Sequence, residues 1–119
     1  VAIKAALHPW EPVSVSVFDE VDSAVGGAAA EVVGSKLRAM GEDHQVIAIT
    51  HQAQIAMHAH RHILVSKGAH DGRTTTVARV LNRGQRREEL ARMVGGLKIT
   101  TKTRRHAEEL LARGTAARG

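Results

Sequence analysis

Two adjacent carboxylates, Asp19 and Glu20, close an apolar, β-branched run (PVSVSVF, 12–18), and a third, Asp22, follows two residues later. A buried strand that ends in acids presents charge at the crevice where α/β proteins bind ligands. Three uses fit such a pair. In a nucleotide hydrolase the first carboxylate holds Mg²⁺, usually through water, and the second orients or deprotonates the attacking water. Phosphoryl transfer asks a protein mainly for charge neutralisation and positioning, so this is a minimum set. A glycosidase needs carboxylates flanking a sugar at roughly 5–10 Å, which sequence neighbours at one strand end do not obviously provide. The plain alternative is a solvated helix N-terminus, where acids are favoured by the macrodipole.

His51 shifts the balance toward the first use. It follows QVIAIT (45–50), a second apolar run about 30 residues beyond the first and separated from it by one helical segment. Two parallel strands joined by a crossover helix end side by side, so His51 is expected beside Asp19 and Glu20. A histidine there can donate a hydrogen bond to a γ-phosphate or to the water attacking it. A second histidine group, His58, His60 and His62, alternates in sequence, with His51 and His70 nearby. On one strand face His60 and His62 would chelate a metal. The segment changes there from helix to strand, however, and solvated histidines on a connecting turn are the favoured reading.

The elements that must position these groups follow from hydrophobic period. Residues 1–7 (VAIKAAL) have helical composition and no cap, as expected of the tail of a longer helix; His8-Pro9 stops it. Val13, Val15 and Val17 alternate with serines as a strand. Ser23 or Asp22 would cap the next helix, whose apolar stripe is Val25, Ala28, Ala29, Val32, Val33, Leu37 and Met40, with Gly41 as its stop. Gly26, Gly27 and Gly34 suit a helix poorly and imply close packing. Residues 45–50 form a second strand, 52–59 a short helix, 61–67 a third strand and 74–81 a fourth, with a hairpin loop over 68–73. A helix over 85–94 turns Leu90, Met93 and Val94 inward. A last helix starts at Thr100 or Thr101 and carries Ala107, Leu110 and Leu111. The expected organisation is one domain over 1–113 and a disordered tail over 114–119. The first three strands should be parallel and the fourth antiparallel at an edge.

The chain has 119 residues, 43% of them apolar, enough for one modest core. Its only aromatics are Trp10 and Phe18, so the core must be built of aliphatic side chains, which suits parallel strands under helices. With no cysteine there is no disulfide and no thiolate chemistry. That fits a cytoplasmic location, and no apolar run reaches the roughly 18 residues that span a membrane. The net charge of +5 is unevenly distributed. Residues 1–60 hold 3 Lys/Arg against 7 Asp/Glu, and residues 61–119 hold 14 against 5. An acidic half followed by a basic half suggests an acid-lined site and a surface that tolerates or seeks polyanions.

FDEVDSAVGG (18–27), VIAITHQAQIA (46–56) and HILVSK (62–67) together resemble the carboxyl-terminal half of an ABC-type ATPase head, most closely that of the SMC-like bacterial DNA repair family RecN. ELARMVGG (89–96) is similar to the family's closing helix, and VAIKAAL to the end of the helix after the signature sequence. The resemblance implies a P-loop NTPase-like α/β lobe with a mostly parallel sheet, an antiparallel edge strand and flanking helices. It implies that Asp19 is the Mg²⁺-associated carboxylate, Glu20 the general base, Asp22 the D-loop acid and His51 the γ-phosphate sensor. It also implies ATP and Mg²⁺ as cofactors. The implied partners are DNA, a second head in a homodimer and an amino-terminal lobe carrying the phosphate loop; the implied location is cytoplasmic and nucleoid-associated, with no membrane. Two positions depart from the pattern: Ala24 stands where the D-loop has glycine, and Gln52-Ala53 replaces Leu-Pro. No G-x-x-x-x-G-K-[ST] motif occurs in these 119 residues, so this stretch alone is expected to be inactive.

Two rivals remain at this point. Asp19-Glu20-Val21-Asp22 also fits the DExD box of a helicase, although the glycine-bearing segment after Ser23 and the placing of His51 favour the ABC head. A non-enzymatic DNA-binding module would use Arg83, Arg86, Arg87, Arg104 and Arg105 on phosphates. No aromatic residue lies in that half to stack on bases.

Overall fold

The structure, a computed structural model, describes residues 15–19, 26–96 and 98–116. The helix read over 1–7 and the capping role of Asp22 or Ser23 lie outside them. The order of elements is β1 (Val15–Phe18), α1 (Ala28–Met40), β2 (Gln45–Ala48), α2 (Ala53–Ala56), β3 (Ile63–His70), β4 (Arg73–Val80), α3 (Arg83–Gly95) and α4 (Thr101–Ala116). Strand β1 pairs with β2 in parallel, Val15 opposite Gln45 and Phe18 opposite Ala48. This is the pairing expected when a crossover helix joins two strands.

The described residues do not show the mostly parallel sheet. Among the described residues β3 pairs only with β4, antiparallel, and the four strands make two separate two-stranded sheets. Between β2 and β3 the single turn of α2 is buried on both sides, against α1 on one and against α3 and α4 on the other. The Asp71-Gly72 turn, with both residues at positive φ, then folds β4 directly onto β3. The hairpin is longer than the alternation implied, because the pairing runs as far as His70 and Arg73.

Two small cores meet at α2. On one side Ile55 joins Ala30 and Leu37 of α1, with Phe18 of β1, Val33 and Val46 packed around them. On the other, Ala53, Ala56 and Met57 join Leu90 and Ala91 of α3 and Ala107, Leu110 and Leu111 of α4. The buried face of α1 is Ala30, Gly34, Leu37 and Met40, a spacing of three and four residues, whereas Val32 of the expected stripe is 56% exposed. In α3 Leu90 is buried as expected, while Val94 is exposed.

Close approach explains two glycines. A Cβ on Gly34 would stand 2.5 Å from His58 Cδ2 and 3.2 Å from the Gln54 carbonyl oxygen. A Cβ on Gly114 would collide with the backbone carbonyl of Met57. Gly114 is therefore buried, and residues 114–116, read from sequence as part of a tail, form the last turn of α4. The exposed pair Arg113–Glu31, at 2.5 Å, links that end of α4 to α1.

Local caps fix where the last two helices start. Asn82 and Gln85 form a capping box, each side chain bonding the other's backbone N–H at 2.9 Å, so α3 begins two residues before the point its periodicity marks. Thr100 and Thr103 make the equivalent reciprocal pair at the start of α4.

Candidate functional site

The site is assembled by strand register. The amide of Ile49 donates to the Phe18 carbonyl at 2.9 Å, extending the parallel ladder one step past the last paired residues. Asp19, immediately after Phe18, and the Thr50-His51 segment therefore leave the sheet at the same, carboxyl-terminal, end. Both Asp19 and His51 are exposed. Glu20 and Asp22 lie outside the described residues; they follow Asp19 directly in sequence. Of the four sequence-derived site residues, the structure thus brings Asp19 and His51 to one strand end.

His51 sits on a short turn. The Thr50 hydroxyl accepts a hydrogen bond from the Gln52 amide at 3.0 Å, which starts α2 where Gln52 itself provides no side-chain cap. The other end of the α2 segment is held by two arginines. Arg38 donates from Nη1 to the His58 carbonyl at 2.6 Å. Arg86, itself buried, donates from Nη2 to the carbonyls of Ala59 at 3.0 Å and Ala56 at 3.4 Å. Helix-end carbonyls lack intrahelical partners, and these guanidinium donors supply them. A four-residue helix has little stability of its own. Packing on both faces and the two arginines are what hold the segment that follows His51.

The arginines were not visible in sequence as positioning groups. Arg86 reads there as one of several surface charges in RGQRREE, and only its inward position on α3 distinguishes it. Burial holds its guanidinium below the ordinary arginine range, with Arg38 and Arg83 adding like-charge repulsion in the same direction.

The three alternating histidines diverge. His60 is exposed and lies 3.2 Å from Glu42. His58 is buried against Gly34, with no hydrogen-bond partner for either ring nitrogen among the described residues. This replaces the solvated-turn reading for that residue. Burial lowers its pKa; Glu31 opposes the shift, while Arg38 and Arg113 reinforce it. His62 is half-buried and is shifted down by the same desolvation, with Arg86 assisting and Glu89 opposing. Among the described residues no group of three or more His, Cys, Asp or Glu side chains converges to hold a metal ion.

That absence of an all-protein cage bears on Mg²⁺. The ion takes oxygen donors in near-octahedral geometry, keeps several waters, and is usually held by one or two carboxylates plus substrate phosphates. An exposed carboxylate at a strand end is a donor of that kind, so Asp19 fits the group.

No protein-family model matches the sequence. In fold, the chain superposes on a solved structure titled "Structural biochemistry of ATP-driven dimerization and DNA stimulated activation of SMC ATPases", with a TM-score of 0.57. The superposition covers 75% of this chain and 53% of that one at 19% identity. The chain thus has the α/β, P-loop NTPase-like fold of an SMC-type ATPase.

Its sequence relatives are more particular. It is 46% identical over 110 residues to the DNA repair protein RecN of Xylella fastidiosa, covering 92% of this chain and 20% of that protein. It is 47% identical over 96 residues to RecN of Deinococcus radiodurans, covering 81% and 17%. With RecN of Bacillus subtilis it shares 38% over 110 residues, covering 92% and 19%. Along this span the chain is similar in sequence to RecN proteins, and it covers about one fifth of the length of the curated relatives it matches.

Proposed function

We propose that the chain is the carboxyl-terminal lobe of an SMC-like ATPase head in a DNA repair protein, and that its strand end takes part in Mg²⁺-dependent ATP hydrolysis. The observation that carries this reading is the parallel register that sends Asp19 and His51 out of the sheet at one end, in a chain similar in sequence to RecN. Asp19 would hold Mg²⁺ through water, and the ion when bound would neutralise charge on the β- and γ-phosphates. Glu20, next in the chain, accepts a proton from the attacking water. His51, on the turn fixed by Thr50, donates a hydrogen bond toward the γ-phosphate oxygens, where negative charge must be stabilised. Asp22 reaches toward a second head.

The phosphate loop and signature sequence would come from an amino-terminal lobe and a partner head, so that two heads enclose ATP. The 119-residue stretch by itself is expected to be inactive. The test is Mg²⁺-dependent ATP hydrolysis by the full-length protein. Asp19→Asn should lower turnover at least about 100-fold and raise the Mg²⁺ concentration needed for half-maximal rate. Wild-type turnover in Asp19→Asn would remove the strand end from the chemistry.

A further inference from the structure

The Arg-rich half of the chain has a definite geometry in the folded molecule. Arg83 and Arg87, one turn apart on α3, face Thr101, Arg104, Arg105 and Glu108 of α4 across an open groove of about 600 Å³. Arg86, which the sequence groups with them, is excluded, because its guanidinium is buried on the α2 carbonyls. Two of the groove arginines are tied to carboxylates across the helix pair: Arg83 to Glu108 at 2.9 Å and Arg104 to Glu88 at 3.0 Å. All four of these side chains are about half exposed, and exposed pairs contribute little and are screened by salt, so a competing anion displaces them at small cost. Arg87 and Arg105 have no carboxylate partner among the described residues. Arg87 also borders a second cleft of mixed charge, where Arg79 and Arg92 lie with Glu88 and Glu89, so the basic surface is confined to the α3–α4 groove.

We infer that this α3–α4 groove is a contact surface for the phosphate backbone of duplex nucleic acid. Planar guanidinium forks match phosphate oxygens in pairs, and the Thr101 hydroxyl is a further neutral donor. No Phe, Tyr or Trp occurs between 61 and 119, so the surface lacks the rings on which single-strand binders chiefly stack bases, and a regular duplex backbone suits it better than a single strand. Contacts of this type position nucleic acid without reading its sequence. The surface adds a partner site to the function proposed above and uses none of the strand-end residues.

The test is fluorescence anisotropy of the full-length protein, without nucleotide, on two labelled duplexes of unrelated sequence and on labelled polyglutamate. Binding is measured between 50 and 200 mM KCl, a range over which phosphate contacts show their salt dependence. The double variant Arg83→Gln/Arg105→Gln should bind both duplexes at least about fivefold more weakly. Its log K against log salt slope should be shallower by about 1 to 2, roughly 0.9 per lost phosphate contact. Arg83→Lys/Arg105→Lys, which keeps the charge, should retain most of the affinity. Unchanged duplex affinity and slope in the Gln variant would overturn the inference. So would an equal loss in the Lys variant, or tighter binding of polyglutamate than of duplex. Because no ATP is present, the result is independent of whether Asp19 and His51 act in hydrolysis.

Discussion

Phe18 and Ile49 share one backbone hydrogen bond, 2.9 Å from the Ile49 amide to the Phe18 carbonyl, and it aligns the two strand ends on which the proposed chemistry depends. A one-residue slip would turn every side chain of β2 to the opposite face. The register is enforced from below, where Phe18 and Val46 pack with Ile55 and Leu37.

His51 is expected to act on the reaction more than on binding. His51→Ala should slow ATP hydrolysis by about 100-fold, the usual effect of losing one donor to developing negative charge. Nucleotide affinity should change less than about threefold. Parallel measurements of turnover and of nucleotide binding separate the two, and an equal loss in both would give His51 a structural role.

Arg86 is expected to matter through the segment it holds. Arg86→Met should destabilise the fold by about 2 kcal/mol, since it takes the guanidinium donor from the part-buried Ala59 carbonyl and one of two donors from the buried Ala56 carbonyl. Hydrogen exchange should show the loss first in the amides of α2. Protection of α2 equal to that of wild type would show that the carbonyls do not need the guanidinium.

Gly34 and Gly114 should both resist alanine, for different reasons. At Gly34 the gain in helix propensity, about 1 kcal/mol, opposes a clash with the His58 ring, which has some room to move. A net loss of about 1 kcal/mol is expected in thermal unfolding. At Gly114 the obstacle is Met57 backbone, so Gly114→Ala should cost about 3 kcal/mol. Equal melting temperatures for the two variants would contradict this ranking.

Acid should loosen the region around α2. His58 and His62 both have lowered pKa values in the fold, mainly from burial. Below the ordinary histidine value of 6.5 the unfolded chain binds protons that the folded chain does not. Their contribution to stability is therefore fully present above that pH and declines as pH falls below it. Exchange protection of the α1 and α2 amides should drop as pH falls below 6.5. His58→Phe should flatten that dependence if the larger ring is accommodated, and His58→Leu serves the same purpose at smaller volume. A profile unchanged in both variants would exclude His58.

Much of this was legible in the sequence. Alternating valines before Asp19, the apolar run before His51 and a threonine at 100 or 101 ahead of the last amphipathic stretch mark their elements by local chemistry, and those elements occur close to where they were expected. The parallel pairing of the first two strands also followed from one intervening helix. What could not be read depended on contacts distant in sequence. Nothing local distinguishes His58 from His60, yet α1 buries one and leaves the other beside Glu42. Gly114 reads as a tail residue until Met57 is placed against it. The β3–β4 hairpin was legible in its polar, glycine-bearing loop, whereas the expected parallel pairing of β3 with β2 is absent among the described residues and no local signal in 61–67 decides it.

The central claim is that this strand end is where ATP is hydrolysed, and Glu20→Gln in the full-length protein tests it most directly. The substitution keeps the shape of the side chain and removes its capacity to accept a proton. Steady-state hydrolysis should fall by about 100-fold or more while ATP still binds with near wild-type affinity, as expected when a general base alone is lost. Hydrolysis at the wild-type rate in Glu20→Gln would contradict the account.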